Sequence, residues 1–254
     1  MNEHVYVYCA IEGTPAALPA AGLADGGAPR ALPLHRTVSL VVSDVSSAVY
    51  NAEALEARLA DLDWVAAAGA AHHAVVDALS EGGVVVLPFR LFTIFSNEAK
   101  ALATLRQAQA AMDRAFDRVR GRQEWVLRIG KPDPARVLAP QAAGVSPPSG
   151  TGFLRAKADA RREAIARAER VTQDAASSFD ALAQLAEAAT SRSVPPGGSL
   201  LCDAAFLVQP SRVAALRDAL TRTAERLLRD GCPVSLTGPW PPYSFASMEA
   251  PADG

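Results

Sequence analysis

The sequence predicts an α+β protein of two domains: an N-terminal modified ferredoxin-like domain over residues 1–130 and a smaller C-terminal α+β domain with a long helix over 151–237. Three observations predict it. Short β-prone runs alternate with helical periodicity in both halves, a proline-rich stretch at 131–150 divides them, and a tail at 238–254 carries three aromatics among prolines. At 254 residues the chain needs no disulfide or metal to fold, because a globule of this size removes roughly 70% of its unfolded surface from water.

Val5 to Cys9 alternates β-prone side chains and reads as the first strand; a Gly/Pro/Ala-rich loop then runs from Glu12 to about Pro33, and Thr37 to Val42 forms a second strand. From Asn51 a helical stripe of Leu55, Leu59 and Leu62 restarts at Asp63, continues through Val76 and Leu79, and stops at Gly82-Gly83. Val84 to Leu87 is a continuous apolar run, as for a strand covered on both faces, and Pro88 limits it. Ser96 is the expected N-cap of a helix with Leu102, Leu105, Met112, Phe116 and Val119 on one face. Glu124 to Ile129 alternates again and completes a β-β-α-β-α-β order, close to the split βαβ arrangement.

Beyond the linker, Leu154, Ala158, Ile165, Ala168, Thr172, Ala175, Phe179, Leu182, Ala186 and Ala189 recur at helical spacing, so one long helix or a broken pair is expected. Pro195-Pro196-Gly197-Gly198 ends it. Leu200 to Val208 then reads as a strand, Val213 to Leu228 as a helix, and Pro233 to Leu236 as a final strand.

The charge of −2 supplies no field to draw in nucleic acid or anionic lipid, so no nucleic-acid or membrane partner is expected. No apolar run reaches the roughly 18 residues of a membrane helix and no secretory signal opens the chain, which predicts a cytoplasmic, reduced protein. Cys9, Cys202 and Cys232 are far apart and read as small buried hydrophobes. His72 and His73 are adjacent, and successive helical residues point about 100° apart, so they do not form a metal pair; one is expected against the core and one in solvent. HExxH, GxSxG, GxxxxGK[ST] and GxGxxG are absent, so no catalytic residue, metal site or cofactor is assigned. The basic run Arg155, Lys157, Arg161, Arg162, Arg167 and Arg170 lacks interleaved aromatics and reads as a solvated face.

Six residues are singled out as structural or partner-contacting: Pro88, Arg90 and Phe95 in the apolar run, and Trp240, Tyr243 and Phe245 in the tail. Arg90 is expected in a structural ion pair, since a charge among apolar neighbours must be matched or reach water. The three tail aromatics carry too much apolar surface to be left in water, so the tail is expected to fold back and pack between the domains.

Tyr6-Val7-Tyr8, Leu40 to Val45, Asp63-Trp64-Val65 followed by His72, Val86 to Phe95, Glu124-Trp125, Ser149 to Leu154 and the Gly238 to Phe245 tail together resemble the GvpL/GvpF family of gas vesicle proteins. Leu91 and Phe92 depart from it, standing where the family more often has an aromatic followed by Gly, and the Glu12 to Pro33 loop is unusually rich in Ala and Pro. The resemblance implies a non-enzymatic accessory or minor structural protein of gas vesicles, found in the cytoplasm and at the vesicle. It implies a monomer when isolated, one that binds the shell protein GvpA and other Gvp proteins during assembly. The rival reading is a small-ligand-binding or enzymatic ferredoxin-like protein, since fold does not dictate function.

Overall fold

The structure, a computed structural model, describes residues 3–132, 150–195 and 197–247. Most of the expected linker at 131–150 and the end of the tail from 248 lie outside the described residues. The chain is a mixed α and β protein that divides into two compact units, Met1–Glu124 with Pro239–Gly254, and Trp125–Gly238.

The first sheet contains β1 (Glu3–Glu12), β2 (Arg30–His35), β3 (Val38–Ser46) and β4 (Val85–Pro88) in the order β2-β3-β1-β4, with β5 (Ile94–Phe95) also paired to β1. Its pairings are antiparallel. Every residue from Val5 to Ile11 is 3% exposed or less, so β1 is covered on both faces, and its hydrophobic content follows from that position. On one face Tyr6, Tyr8 and Ile11 meet Val75, Val76 and Leu79 of α3 (Leu62–Glu81). Two short helices precede it, α1 (Ser47–Tyr50) and α2 (Ala52–Arg58). Asp61 caps α3, its carboxylate accepting from the amides of Asp63 and Trp64 at 3.1 Å each, which is why the helical stripe restarts there. The helix expected from Ser96 to Val119 is capped by Asn97 and is two elements, α4 (Glu98–Gln107) and α5 (Gln109–Val119), meeting at Ala108.

The second sheet contains β6 (Gln123–Gly130), β7 (Ala188–Ser191), β8 (Leu200–Val208) and β9 (Val234–Trp240), in the order β7-β8-β6-β9. It packs against α6 (Gly150–Ala183) and α7 (Val213–Arg229). Counted from the first strand of each unit, both sheets therefore share one spatial order, second-third-first-fourth.

Three expectations need correction. The strand 124–129, assigned to the first domain, lies inside the second sheet, because Trp125, Leu127 and Ile129 join Phe206, Leu216 and Leu227 in the second core. The strand that the first sheet gains instead is β2, hidden by its Pro33 within what reads as a loop; edge position makes that proline tolerable, since an edge strand can lose an amide donor. The long helix ends at Ala183, and Ala189 lies in β7, where Glu187 N donates to Leu207 O at 2.8 Å. Alanine favours helix intrinsically, and pairing with β8 overrides that preference. Nor is the tail a separate body, since residues from Pro239 belong to the first unit.

Phe92 has φ 63°, in the left-handed region that costs a residue with a Cβ about 1 kcal/mol or more. Here the ring compensates by stacking on Trp64 at 5.3 Å with an interplanar angle of 1°. Replacing Phe92 by Gly or by Ala removes the stack in both cases, but only Ala keeps the strain. Urea unfolding should therefore rank Phe92→Gly above Phe92→Ala by about 1 kcal/mol, with both below the parent. An Ala variant as stable as the Gly variant contradicts the strain argument.

Candidate functional site

Pro88 ends β4 beside Cys9, and five residues, 89–93, then leave the sheet before β5 rejoins β1 at Tyr6 and Val5. The loop is held at both ends. Phe89 N donates to Tyr8 O at 2.9 Å and Val7 N to Thr93 O at 2.9 Å, while the Thr93 amide and hydroxyl both bond to Arg90 O, at 3.2 and 2.8 Å. Those bonds turn Arg90 outward.

The tail approaches the same loop. Pro241 and Pro242 force tight turns, with Tyr243 N donating to Pro241 O at 2.8 Å and Phe245 N to Pro242 O at 3.1 Å. Glu124, 2% exposed, clamps it: one carboxylate oxygen accepts from Ser244 N and the other from Ser244 Oγ, both at 2.8 Å. Arg118 Nη1 donates to Phe245 O at 2.9 Å. Tyr243 Oη lies 3.4 Å from His73 Nδ1, and the Trp240 ring is 5.8 Å from that of His73. Between loop and tail lies an open groove of about 440 Å³, lined by Pro88, Phe89, Arg90, Thr93, Tyr243 and Ala246 among others. Its lining mixes aromatic and aliphatic groups with hydroxyls and a guanidinium.

Of the six residues singled out from sequence, Pro88, Arg90 and Tyr243 line this one groove. Phe245 is 6% exposed and serves the packing of the tail; Trp240 is 40% exposed over His73. Phe95 is half-buried on β5 opposite Val5, away from the groove lining. The expected ion pair of Arg90 is not formed: the side chain is exposed and makes no ion pair among the described residues. The loop bonds point it to water, so its charge needs no internal partner. His73, Glu124 and Arg118 hold the tail and were not among the sequence candidates. Nothing local marks them, because each acts on a residue at least 120 positions away along the chain.

Beneath the groove, the Tyr6 hydroxyl is 2.7 Å from His72 Nδ1 and accepts from Phe92 N at 3.4 Å. Burial holds the Tyr6 phenol protonated by raising its pKa, so the O–H donates to His72 Nδ1 and the histidine proton resides on Nε2. His72 is 3% exposed, and burial lowers its pKa to about 4, with the nearby Phe89 carbonyl opposing this slightly and His73 reinforcing it. Among the described residues no hydrogen bond closes on Nε2. Tyr243 and Cys9 are also pushed up, both chiefly by burial. At neutral pH the Tyr6, Cys9 and Tyr243 side chains therefore keep their protons, and His72 is neutral. Among the described residues no cluster of three His, Cys, Asp or Glu side chains could hold a metal ion, and no helix is long and apolar enough to cross a membrane.

The family described as "Gas vesicle synthesis protein GvpL/GvpF" matches residues 4–247. Gas vesicle protein L of a Streptomyces species is 32% identical over 252 residues, 96% of this chain and 92% of the relative. Gas vesicle protein L2 of Halobacterium salinarum is 29% identical over 272 residues, covering 97% and 92%. Among solved structures, GvpF from Anabaena superposes with a TM-score of 0.68 at 18% identity, over 98% of both chains. GvpF from Microcystis aeruginosa gives 0.66 at 14%, over 96% of this chain and 99% of that one. At such identities the structures speak for the fold.

The buried His72 makes a pH prediction. The unfolded chain takes up its proton below about 6.5, whereas the folded chain resists until about 4, so this group's contribution to stability falls as pH drops across that window. Relative to a His72→Gln variant, the parent should lose about 2 kcal/mol between pH 7.5 and 5 in urea unfolding. A pH-independent difference between the two would contradict a buried neutral imidazole.

Proposed function

Because the chain belongs to the GvpL/GvpF family of gas vesicle synthesis proteins, we propose that it is a non-enzymatic accessory or minor structural protein that binds the shell protein GvpA and other Gvp proteins while vesicles assemble. It acts in the cytoplasm and at the growing vesicle. A shell that encloses gas must present apolar surface inward, so its free subunits carry patches and strand edges that aggregate in water. A soluble partner with a shallow contact surface suits their delivery better than a deep substrate cavity does.

The observation that carries this reading is Arg90: an exposed guanidinium without an ion pair among the described residues, at an open groove also lined by Pro88, Phe89 and Tyr243. Such a groove fits an apolar segment that carries a carboxylate, with the aromatic lining supplying area and the arginine supplying orientation. The first unit is, in this reading, the partner-binding one. The strand order shared by both sheets supports taking it as a modified ferredoxin-like domain in which the loop after β1 replaces the first helix.

The experiment is retention of GvpA on the immobilised full-length chain and on an Arg90→Glu variant. Arg90 packs against nothing that folding requires, so the variant should melt at the parent temperature while losing about tenfold or more in GvpA retention. Undiminished retention by a folded variant removes the groove from the account; no retention by the parent removes GvpA as its partner.

A further inference from the structure

We propose that the projecting half of α6 is a second docking site, in the other unit, for an acidic amphipathic helix of a partner protein. Val171, Ala175, Ser178 and Leu182 form the buried line of α6, packed into the second core under α7. At 100° per residue, Phe153, Ala160 and Ala164 fall on the continuation of that line, with Lys157 beside it and Leu154 and Ile165 roughly a quarter-turn or more round the helix. The face is therefore one seam, of which only the C-terminal half is covered. α7 stops level with Arg167, whose guanidinium bonds to the Asp230 carboxylate and carbonyl, both at 3.0 Å, just past the end of that helix. From 153 to 165 every residue is exposed, Phe153 by 57%, Leu154 by 65% and Ile165 by 51%.

What should cover the seam follows from its shape and charge. The exposed strip is about 20 Å long and narrow, the footprint of a helix, and Ala160 and Ala164 allow close approach between the larger side chains. The partner would continue the line of α7, over a groove of about 680 Å³ that opens where α7 ends and is lined by Ala160, Ala164, Arg167 and Arg229 among others. Lys157 and Arg161 lie on the same face and make no ion pair among the described residues. Across 153–165 four cations, Arg155, Lys157, Arg161 and Arg162, stand against Asp159 and Glu163, a balance of +2. A second copy of this chain would bring the same cations against each other, whereas a helix with apolar anchors flanked by carboxylates matches both features. This is the interaction mode in which an amphipathic helix lays its apolar side onto a groove or face.

The test uses the full chain and two designed helical peptides of about three heptads, with Leu at a and d and either Glu or Lys at e and g. Fluorescence anisotropy should show the Glu peptide binding about tenfold or more tightly than the Lys peptide. That binding should fall by a similar factor in a Phe153→Asp/Ala164→Asp variant and in a Lys157→Glu/Arg161→Glu variant, and remain unchanged in Arg90→Glu, so that failure here and failure of the first-unit groove are told apart. Should the apolar variant melt early, the charge variant, which buries nothing, decides alone. Equal binding of the two peptides overturns the proposal, as does indifference to the charge reversal. So does light scattering that finds a dimer of the parent which the Phe153/Ala164 variant abolishes, since the occupant is then a second copy.

Discussion

Two tyrosine hydroxyls lie at the centre of the first unit, on a strand with no exposed face, and each must find a partner or cost a few kcal/mol. Tyr8 Oη donates to Ser43 Oγ at 3.1 Å and accepts from Leu23 N at 3.0 Å, which pins the long loop after β1 to β3. Gly22 follows from this arrangement, since a Cβ there would run into the Tyr8 hydroxyl. Tyr6 reaches the other way, to His72 on α3 and to the amide of Phe92 in the loop between β4 and β5. One strand thereby locates a loop, a helix and the rim of the groove. The next residue on α3, His73, receives the tail aromatics, so the loop and the tail around the groove share a single reference point.

Tyr6 bonds to His72 and Tyr8 to Ser43 across the core, and these contacts stiffen the first unit. Facing water at the groove and along α6 are cations without an ion pair among the described residues, Arg90, Lys157 and Arg161, beside aromatic and aliphatic side chains. The two units repeat one strand order and differ in what they expose, a groove bordered by a tail in the first and a projecting helix in the second. Sites carried in this way on a common plan are a matter of surface residues and not of fold.

Much of the fold was legible because its elements declare themselves locally. The alternation of Trp125, Leu127 and Ile129, the restart of helix at Asp63 and the stop at Gly82 each rest on neighbouring residues, and the structure has them all. Sheet membership was not legible. The strand 124–129 has the right period for either sheet, and only its partners in the second core decide the matter; β2, short and interrupted by Pro33, hides among loop residues. At the site, Pro88 and Tyr243 were readable from type and context. Arg90 was found but its setting was misjudged, because a charge within an apolar run suggests burial, while the turn made by Thr93 sends it outward. Glu124 and Arg118 could not be found from sequence, since both act through contacts more than a hundred residues distant.

The central claim is that the Tyr6 hydroxyl and His72 act as one unit that holds α3 and the loop rim in place. A double-mutant cycle with Tyr6→Phe and His72→Leu, read by urea unfolding at neutral pH, measures it most directly. The account predicts that the second substitution costs much less once the first is made, with a coupling of about 1 kcal/mol or more. Strictly additive losses would mean that the two side chains merely share a core, and the groove would then owe its shape to something else.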